Sequence, residues 1–162
     1  MGGTMRATRV RKYGVHFRSR LECEAADVLE RHKLVWVYEP KSFDLGNGET
    51  YTPDLWVPRY AAFVEVKATG GVERLHKPWI LGRTLQLSGA ASQLLVWQDR
   101  YAWWAPTSLG WRLDFMWPAR ARRGPRGGRR WDPRSRDNPV LAWRPTAADV
   151  EAVNVATRGR SA

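Results

Sequence analysis

Two acidic residues and a lysine lie at a spacing that suits metal-dependent hydrolysis. Asp54 follows Pro53, and ten residues separate it from the run Glu65-Val66-Lys67. In an extended strand Glu65 and Lys67 share one face, while the valines and alanines around them share the other. A glutamate and a lysine that project together from an apolar strand indicate either a solvated edge or a functional site. The alternative for Pro53-Asp54 is plain turn chemistry.

The expected strand register brings the two carboxylates together. If Arg59 and Tyr60 form a two-residue hairpin turn, Asp54 lies directly across from Glu65, with Cβ atoms about 4.5–5.5 Å apart. Two like charges so placed destabilise the sheet unless a cation lies between them. Oxygen ligands without His or Cys suit Mg²⁺, for which Mn²⁺ would substitute. Lys67 would then stabilise developing negative charge or help to deprotonate the attacking water.

A third carboxylate is expected from the helix that precedes these strands. Residues 18–32 have apolar side chains at helical spacing, which predicts an amphipathic helix. On a helical wheel Glu22 lies about 50° from the centre of the apolar stripe and Glu24 about 110° from it. An inward-directed carboxylate costs free energy unless it has a partner, so Glu22 is the candidate. The alternative is that Glu22 only complements the helix N-terminus.

The first half of the chain predicts a helix followed by antiparallel strands. β-branched and aromatic residues at 34–38 predict a strand. Asn47-Gly48, between two further strand-like stretches, predicts a hairpin turn in which both residues have positive φ. Residues 61–68 predict the strand that contains Glu65.

The second half predicts a helix, three strands and a terminal helix. Residues 72–88 are expected to be helical in part, with Pro78 in a first turn or as a break. Three short strands follow within 92–115. A helix at 145–158 is expected, with Thr146 as N-cap and Asp149 at the capping-box position.

Positive charge is concentrated at both ends of the chain. Residues 1–21 contain six basic and no acidic residues, residues 22–100 nine basic and eleven acidic, and residues 101–162 twelve basic and five acidic. The net charge is +11. A large field of one sign predicts a polyanionic partner, with nucleic acid as the first candidate. The alternative is that the charge serves only solvation.

Composition divides the chain into four parts. We predict a basic N-terminal arm at 1–17, a core at 18–117, an arginine-rich flexible loop at 118–138 and a C-terminal segment with a short helix at 139–162. Arginines of the loop, and two beside the proposed metal site, are candidates for DNA phosphate contacts, the alternative being solvated charge. These arginines are Arg18, Arg20, Arg120, Arg122, Arg123, Arg126, Arg129 and Arg130.

Composition also excludes several protein classes. A chain of 162 residues that is 43% hydrophobic and 27% charged is not expected to be wholly disordered. No apolar run approaches the roughly 18–20 residues of a membrane-spanning helix. The basic N-terminus lacks the apolar stretch of a secretory signal, and the single Cys23 cannot form an intrachain disulfide. A cytoplasmic location and no membrane partner are therefore expected.

These motifs together resemble the PD-(D/E)XK nuclease superfamily. Within it, four segments are most similar to the phage endonuclease I family, which resolves Holliday junctions, and to small endonuclease-like proteins of actinobacteria and their phages. The resemblance covers about residues 17–70. The segments are Arg18-Ser19-Arg20-Leu21-Glu22, Tyr38-Glu39, Tyr51-Thr52-Pro53-Asp54 and Phe63-Val64-Glu65-Val66-Lys67.

The resemblance implies an α/β fold and a set of site residues. The fold would be a restriction-endonuclease-like core, a mixed central β-sheet flanked by helices, with a basic C-terminal extension. Asp54, Glu65 and the main-chain carbonyl of Val66 would hold one metal ion. Glu22 would help to hold a second or orient water, and Lys67 would be the catalytic lysine.

The implied function is a metal-dependent DNA endonuclease, structure-selective for branched DNA. The chain after Gly71 departs from the resolvase pattern, so a transposon-end or restriction-type endonuclease is the nearest alternative. A non-catalytic DNA- or RNA-binding module is an alternative of a different class. A homodimer would suit an enzyme that cuts two strands of a symmetric junction.

Overall fold

The computed structural model describes residues 9–68, 74–117 and 132–159 of the chain. The strands are β1 (Val10–Lys12), β2 (Val15–Phe17), β3 (Val37–Tyr38), β4 (Phe43–Asp44), β5 (Thr50–Tyr51), β6 (Leu55–Val57), β7 (Ala62–Lys67), β8 (Gln93–Gln98), β9 (Ala102–Thr107) and β10 (Gly110–Met116). The helices are α1 (Arg20–Arg31), α2 (His76–Leu87), α3 (Pro139–Ala142) and α4 (Ala147–Arg158).

Six strands form one mixed sheet in the order β10-β9-β8-β7-β6-β3. All neighbours are antiparallel except β7 and β8, which run parallel. Parallel neighbours require a long crossover, and α2 lies in the chain between β7 and β8. The expectation of a mixed central sheet flanked by helices is thereby confirmed.

The alternating side chains of β7 divide the core between the two faces of the sheet. Val64 and Val66 lie in one apolar cluster with Val28 and Leu29 of α1. Phe63 points to the opposite face, where the cluster includes buried residues of α2 and α4. Both faces of β7 are therefore core, which explains why its sequence is nearly continuous apolar residues. Its acidic and basic side chains are confined to the carboxyl half of the strand.

The β6–β7 register is the predicted one, although the turn differs. Leu55 pairs with Val64, and this alignment places Asp54 opposite Glu65. The predicted two-residue turn is replaced by a single 3₁₀ turn at Pro58–Tyr60. Proline has a fixed φ near −65° and no N–H to donate, so it suits the start of such a turn.

The predicted hairpin around Asn47 also forms, as β4 and β5. Its turn type differs from the prediction, because positive φ falls at Gly46 (77°) and Gly48 (82°) rather than at the Asn-Gly pair. The Leu45 N–H donates to the carbonyl of Glu49 at 3.0 Å, which encloses a three-residue loop. Glycine at both strained positions allows this loop.

Both predicted helices of the second half are present. Pro78 lies in the first turn of α2, where a missing N–H removes no intrahelical hydrogen bond. Thr146 caps α4, with its side chain accepting from the Asp149 N–H at 3.2 Å and the Asp149 carboxylate accepting from the Thr146 N–H at 2.7 Å. No helix in the described ranges is long and apolar enough to cross a bilayer.

Two of the predicted sequence divisions fall partly outside the described residues. In the predicted arm at 1–17, residues from Val10 onward form the β1–β2 hairpin, which is tied to α1 by a Lys12–Asp27 ion pair of 2.7 Å. In the predicted loop at 118–138, residues 132–138 form turns that end at a buried Asn138. Six predicted phosphate contacts lie outside the described residues: Arg120, Arg122, Arg123, Arg126, Arg129 and Arg130.

Candidate active site

Asp54 immediately precedes β6 and joins that strand to β7 through its side chain. It is 4% exposed. Its Oδ2 atom accepts a hydrogen bond from the Val66 N–H at 2.8 Å, and its Oδ1 atom accepts one from Arg18 Nη2 at 3.1 Å. The strand register explains the first contact, because it places position 54 across from position 65. Val66, whose carbonyl is a predicted metal ligand, is thus adjacent to Asp54.

Glu65 and Lys67 form an ion pair on one face of β7. Lys67 Nζ lies 2.7 Å from Glu65 Oε1, and both side chains are largely buried. The second oxygen, Oε2, accepts a short hydrogen bond from the Tyr51 hydroxyl. Because residues i and i+2 share a strand face, the Glu-x-Lys spacing produces this pair directly. Tyr51 reaches the pair from β5, so the small hairpin orients Glu65.

Glu22 is directed inward from the first turn of α1, as its position on the helical wheel predicts. The Ser19 side chain caps the helix by accepting from the Glu22 N–H at 3.2 Å. Glu22 is 8% exposed, and its Oε2 atom accepts from the Tyr38 hydroxyl at 2.6 Å and from the Arg18 N–H at 3.1 Å. It therefore has the partners that a buried carboxylate requires.

The three buried carboxylates lie close enough to repel one another. Burial raises the pKa of Asp54 well above its ordinary value, and the charges of Glu65 and Glu22 raise it further. The Val66 N–H and the Lys67 ammonium oppose this rise in pKa without cancelling it. An acid whose charged form is disfavoured, surrounded by other acids, is typical of a catalytic or binding site.

Two tyrosines remain neutral donors beside these acids. Burial and the charge of Glu65 raise the pKa of Tyr51 well above its ordinary value. Burial and the hydrogen bond to Glu22 raise the pKa of Tyr38 to about 12. Both hydroxyls therefore keep their protons at neutral pH and hold the glutamates in place.

Arg18 links the cluster to the protein surface. Its Nε atom lies 2.8 Å from Glu39 Oε1, and its Nη2 atom contacts Asp54. Burial opposes the charge of Arg18, but the hydrogen bond that it donates to the Tyr38 hydroxyl and the charges of Glu39 and Asp54 outweigh burial and raise the pKa of Arg18. The guanidinium therefore carries a permanent positive charge where the cluster meets the solvent.

The donor set of the cluster fits Mg²⁺ in its chemistry. In the present arrangement of the described residues, no three or more His, Cys, Asp or Glu side chains are positioned to hold a metal ion. The oxygens of Asp54 and Glu65 are instead bonded to Arg18, Lys67, Tyr51 and the Val66 amide. Magnesium needs only one or two carboxylates with water and phosphate. Burial and the charges of the two neighbouring acids raise the pKa of Asp54, and a cation would relieve the excess negative charge.

Two further arginines, Arg20 and Arg100, form ion pairs with Glu24 of α1. Arg20 Nε contacts Glu24 Oε1 at 3.0 Å, and Arg100 Nη1 contacts Glu24 Oε2 at 3.0 Å. Arg100 belongs to the turn between β8 and β9, which is held against the end of β7 because the Asp99 N–H donates to the Lys67 carbonyl at 3.0 Å. Two guanidiniums on one carboxylate leave net positive charge available to phosphates.

Sequence reasoning assigned no role to four residues of this region, namely Tyr38, Glu39, Tyr51 and Arg100. The tyrosines and Glu39 belong to the segments that support the family resemblance, which was the available signal. Arg100 had a weaker signal, since Asp99-Arg100 separates two predicted strands.

Searches with protein-family models, of curated proteins and of solved structures each returned no match to this chain.

Proposed function

We propose that the chain is a metal-dependent DNA endonuclease that hydrolyses phosphodiester bonds. The observation that supports this best is the convergence of Glu22, Asp54 and Glu65 with Lys67 in one buried cluster. A protein that only binds nucleic acid has no need of buried like charges close to an anionic ligand. The cluster contains the residues to which the PD-(D/E)XK resemblance assigns a role.

Asp54 and Glu65, with the main-chain carbonyl of Val66, are the proposed ligands of Mg²⁺, and Mn²⁺ would substitute. Glu22 would help to hold a second ion or orient the attacking water. Bound Mg²⁺ lowers the pKa of its water and stabilises charge on the phosphate. Tyr38 and Tyr51 keep Glu22 and Glu65 in fixed orientations through hydrogen bonds.

Lys67 is the proposed catalytic lysine. Its ammonium is fixed by Glu65 Oε1 at 2.7 Å and is largely buried. A buried, oriented positive charge stabilises the negative charge that develops on phosphate oxygens during hydrolysis. Arg18, which pairs with Asp54, and Arg20, in the first turn of α1, are proposed to bind flanking phosphates, which position DNA without selecting its sequence.

Branched DNA is the proposed substrate, as for a Holliday-junction resolvase. This choice rests on the resemblance over about residues 17–70, and the net charge of +11 supports a polyanionic partner. A transposon-end or restriction-type endonuclease with the same catalytic residues is the nearest alternative. A homodimer in the cytoplasm would suit paired cuts in a symmetric junction.

One observation favours a second candidate, a non-catalytic nucleic-acid-binding module. The oxygens of Asp54 and Glu65 already have internal partners, among them Arg18 and Lys67. A cluster neutralised in this way needs no metal ion to fold. Such a module would lose DNA affinity with added salt but would not respond specifically to Mg²⁺.

Cleavage of a four-way junction and of a matched linear duplex, each with and without Mg²⁺, tests these proposals. Glu65→Gln preserves the shape of the side chain but removes its charge, and Glu151→Gln, at an exposed position of α4, is the matched control. Metal-dependent cuts near the branch that disappear only in Glu65→Gln are expected. Equal cutting of both substrates would retain the nuclease but contradict junction selectivity. Binding without cutting, in either Mg²⁺ or Mn²⁺, would support the non-catalytic module.

A further inference from the structure

One residue, Arg18, contacts two of the three acids of the candidate active site. Its guanidinium donates to Asp54 Oδ1 at 3.1 Å, and its main-chain N–H donates to Glu22 Oε2 at 3.1 Å. Glu39 accepts a second guanidinium contact at 2.8 Å. The next residue, Ser19, is the N-cap of α1, which anchors the backbone of Arg18 whatever its side chain does.

The partners of this guanidinium differ sharply in exposure. The Asp54 side chain is 6% exposed, whereas the side chains of Arg18 and Glu39 are 58% and 38% exposed. If the guanidinium moved away from Asp54, it would enter water at little cost. Asp54 would instead become a buried, unpaired carboxylate among like charges, which is strongly unfavourable. A cation that occupies the place of the guanidinium at Asp54 would therefore favour release of Arg18.

Only one oxygen of Asp54 would take part in such an exchange. Oδ2 is held by the Val66 N–H at 2.8 Å, and this contact belongs to the joined strands β6 and β7. Oδ1, the oxygen bonded to Arg18, is the one that can change partner without disturbing the sheet. The 2.8 Å contact with Glu39 would keep the released guanidinium at the mouth of the site. A half-exposed guanidinium there has the fork geometry that binds phosphate.

We propose that Arg18 is an internal counter-cation of Asp54, which a divalent cation displaces and which then binds a DNA phosphate. This inference rests on the proposed nuclease function. It makes metal and DNA binding mutually reinforcing, because the metal ion frees the group that binds DNA, and DNA stabilises the form open to the metal ion. Such coupling is reciprocal by thermodynamic linkage. Arg18 would thus pair first with Asp54 and then with a DNA phosphate.

Titration of Mn²⁺ into the full chain without DNA, followed by calorimetry, tests the exchange. Arg18→Met keeps much of the apolar length of the side chain and removes the competing charge. It is expected to bind Mn²⁺ about fivefold more tightly than wild type, the size of one partly exposed ion pair. Arg112→Met is the matched control, since Arg112 pairs with Asp114 rather than Asp54, and its Mn²⁺ affinity should equal that of wild type.

The coupling is measured as junction affinity with and without Ca²⁺. Wild type should gain more affinity from Ca²⁺ than Arg18→Met does, while Arg112→Met keeps the full gain. Near-ultraviolet circular dichroism of the buried tryptophans checks folding. Should Arg18→Met fail to fold, Arg18→Lys, which retains charge but loses the fork, replaces it and should show an intermediate gain.

The outcomes separate this inference from the proposed function. Mn²⁺ binding of equal strength in wild type and Arg18→Met would overturn the exchange and leave the nuclease proposal standing. Weaker binding in a folded Arg18→Met would also overturn it, because Arg18 would then support the metal site. Absence of any divalent-cation binding in wild type, with or without DNA, would contradict both.

Discussion

Two regions of the molecule bury polar side chains and differ in whether those side chains are neutral or charged. In one region Gln98 and Asn138 exchange two side-chain hydrogen bonds of 3.0 Å, and Trp104 Nε1 donates to Gln98 Oε1 at 3.0 Å. All of these groups are neutral, and donors match acceptors. The network joins β8 to the turn before α3. These buried polar groups therefore have hydrogen-bond partners, and no charge is buried to provide them.

The acidic cluster is equally buried but electrostatically unfavourable. Glu22, Asp54 and Glu65 each have hydrogen-bond partners, yet the pKa of Asp54 is raised by burial and by its two acidic neighbours. A region selected only for stability would not keep three like charges together. The contrast indicates that the neutral network contributes stability, whereas the acidic cluster lowers it, a trade-off expected of the proposed active site.

The sharpest way to break this contrast is Asp54→Asn. The amide keeps an oxygen for the Val66 N–H and removes a charge that repels Glu65 and Glu22. Metal-dependent cleavage should fall by more than about 100-fold, the upper end of what groups supporting a metal ligand cost. The free energy of unfolding in urea should stay level or increase. A large loss of stability would show that the cluster is structural and would contradict the comparison.

The converse change is Asn138→Ala in the neutral network. It leaves Gln98 without its reciprocal partner in a buried site, which costs about 2 kcal/mol of unfolding free energy. For a chain of this size the melting temperature should fall by about 4–8 °C. Cleavage per folded molecule should be unchanged. Asn47→Ala, in the exposed β4–β5 turn, serves as control and should change stability little.

A fourth buried acid sharpens the comparison, because Asp149 contributes to stability. Burial alone would raise the pKa of Asp149, but hydrogen bonds from Thr146 and His76 outweigh burial and lower it. Because the pKa of Asp149 is lower in the folded state, its contribution to stability is fully present when the pH is above the ordinary aspartate pKa of about 4. That contribution is lost as the pH falls through the lower pKa of the folded state.

Asp149→Ala tests this role. It should cost about 1 kcal/mol at pH 6, the usual worth of a helix cap. Because protonation removes the same contacts, the difference between wild type and variant should shrink as the pH falls through the lowered pKa. Urea denaturation at pH 6 and at pH 3 measures both quantities. A difference that does not change with pH would assign the effect to packing.

The smallest expected effect concerns the rim of the acidic cluster. Arg20 and Arg100 both pair with Glu24 and leave net positive charge for a phosphate, so Arg100→Ala should lower the slope of log K against log salt for DNA binding by about one. Arg112→Ala, whose guanidinium pairs with Asp114 on β10, should leave the slope unchanged. Equal effects of both substitutions would indicate diffuse attraction rather than a defined contact.

Sequence reasoning predicted those features of the site that follow from local periodicity. The inward direction of Glu22 follows from helical spacing, and the placement of Asp54 opposite Glu65 follows from the strand register. Neither feature requires knowledge of distant parts of the chain. For the same reason most of the element order was predictable, whereas the mixed central sheet was implied by the family resemblance.

Contacts between segments far apart in sequence were not predictable in this way. The bond from Tyr51 to Glu65 depends on how the β4–β5 hairpin packs against the sheet. The ion pair from Arg18 to Asp54 depends on the direction in which the chain leaves β2.

The type of the turn around Asn47 was predicted wrongly because Gly46 is a second residue that adopts positive φ at low cost.

The bond between the Val66 amide and Asp54 also constrains how this protein can change over generations. A side-chain oxygen here does the work of a main-chain acceptor, extending the pairing of β6 with β7 beyond its last backbone rung. Loss of the proposed metal ligand to an apolar residue would therefore also leave an amide unpaired inside the sheet. Mutational drift that abolishes the chemistry thus tends to damage the fold as well, and asparagine is the conservative route by which this scaffold loses one without the other.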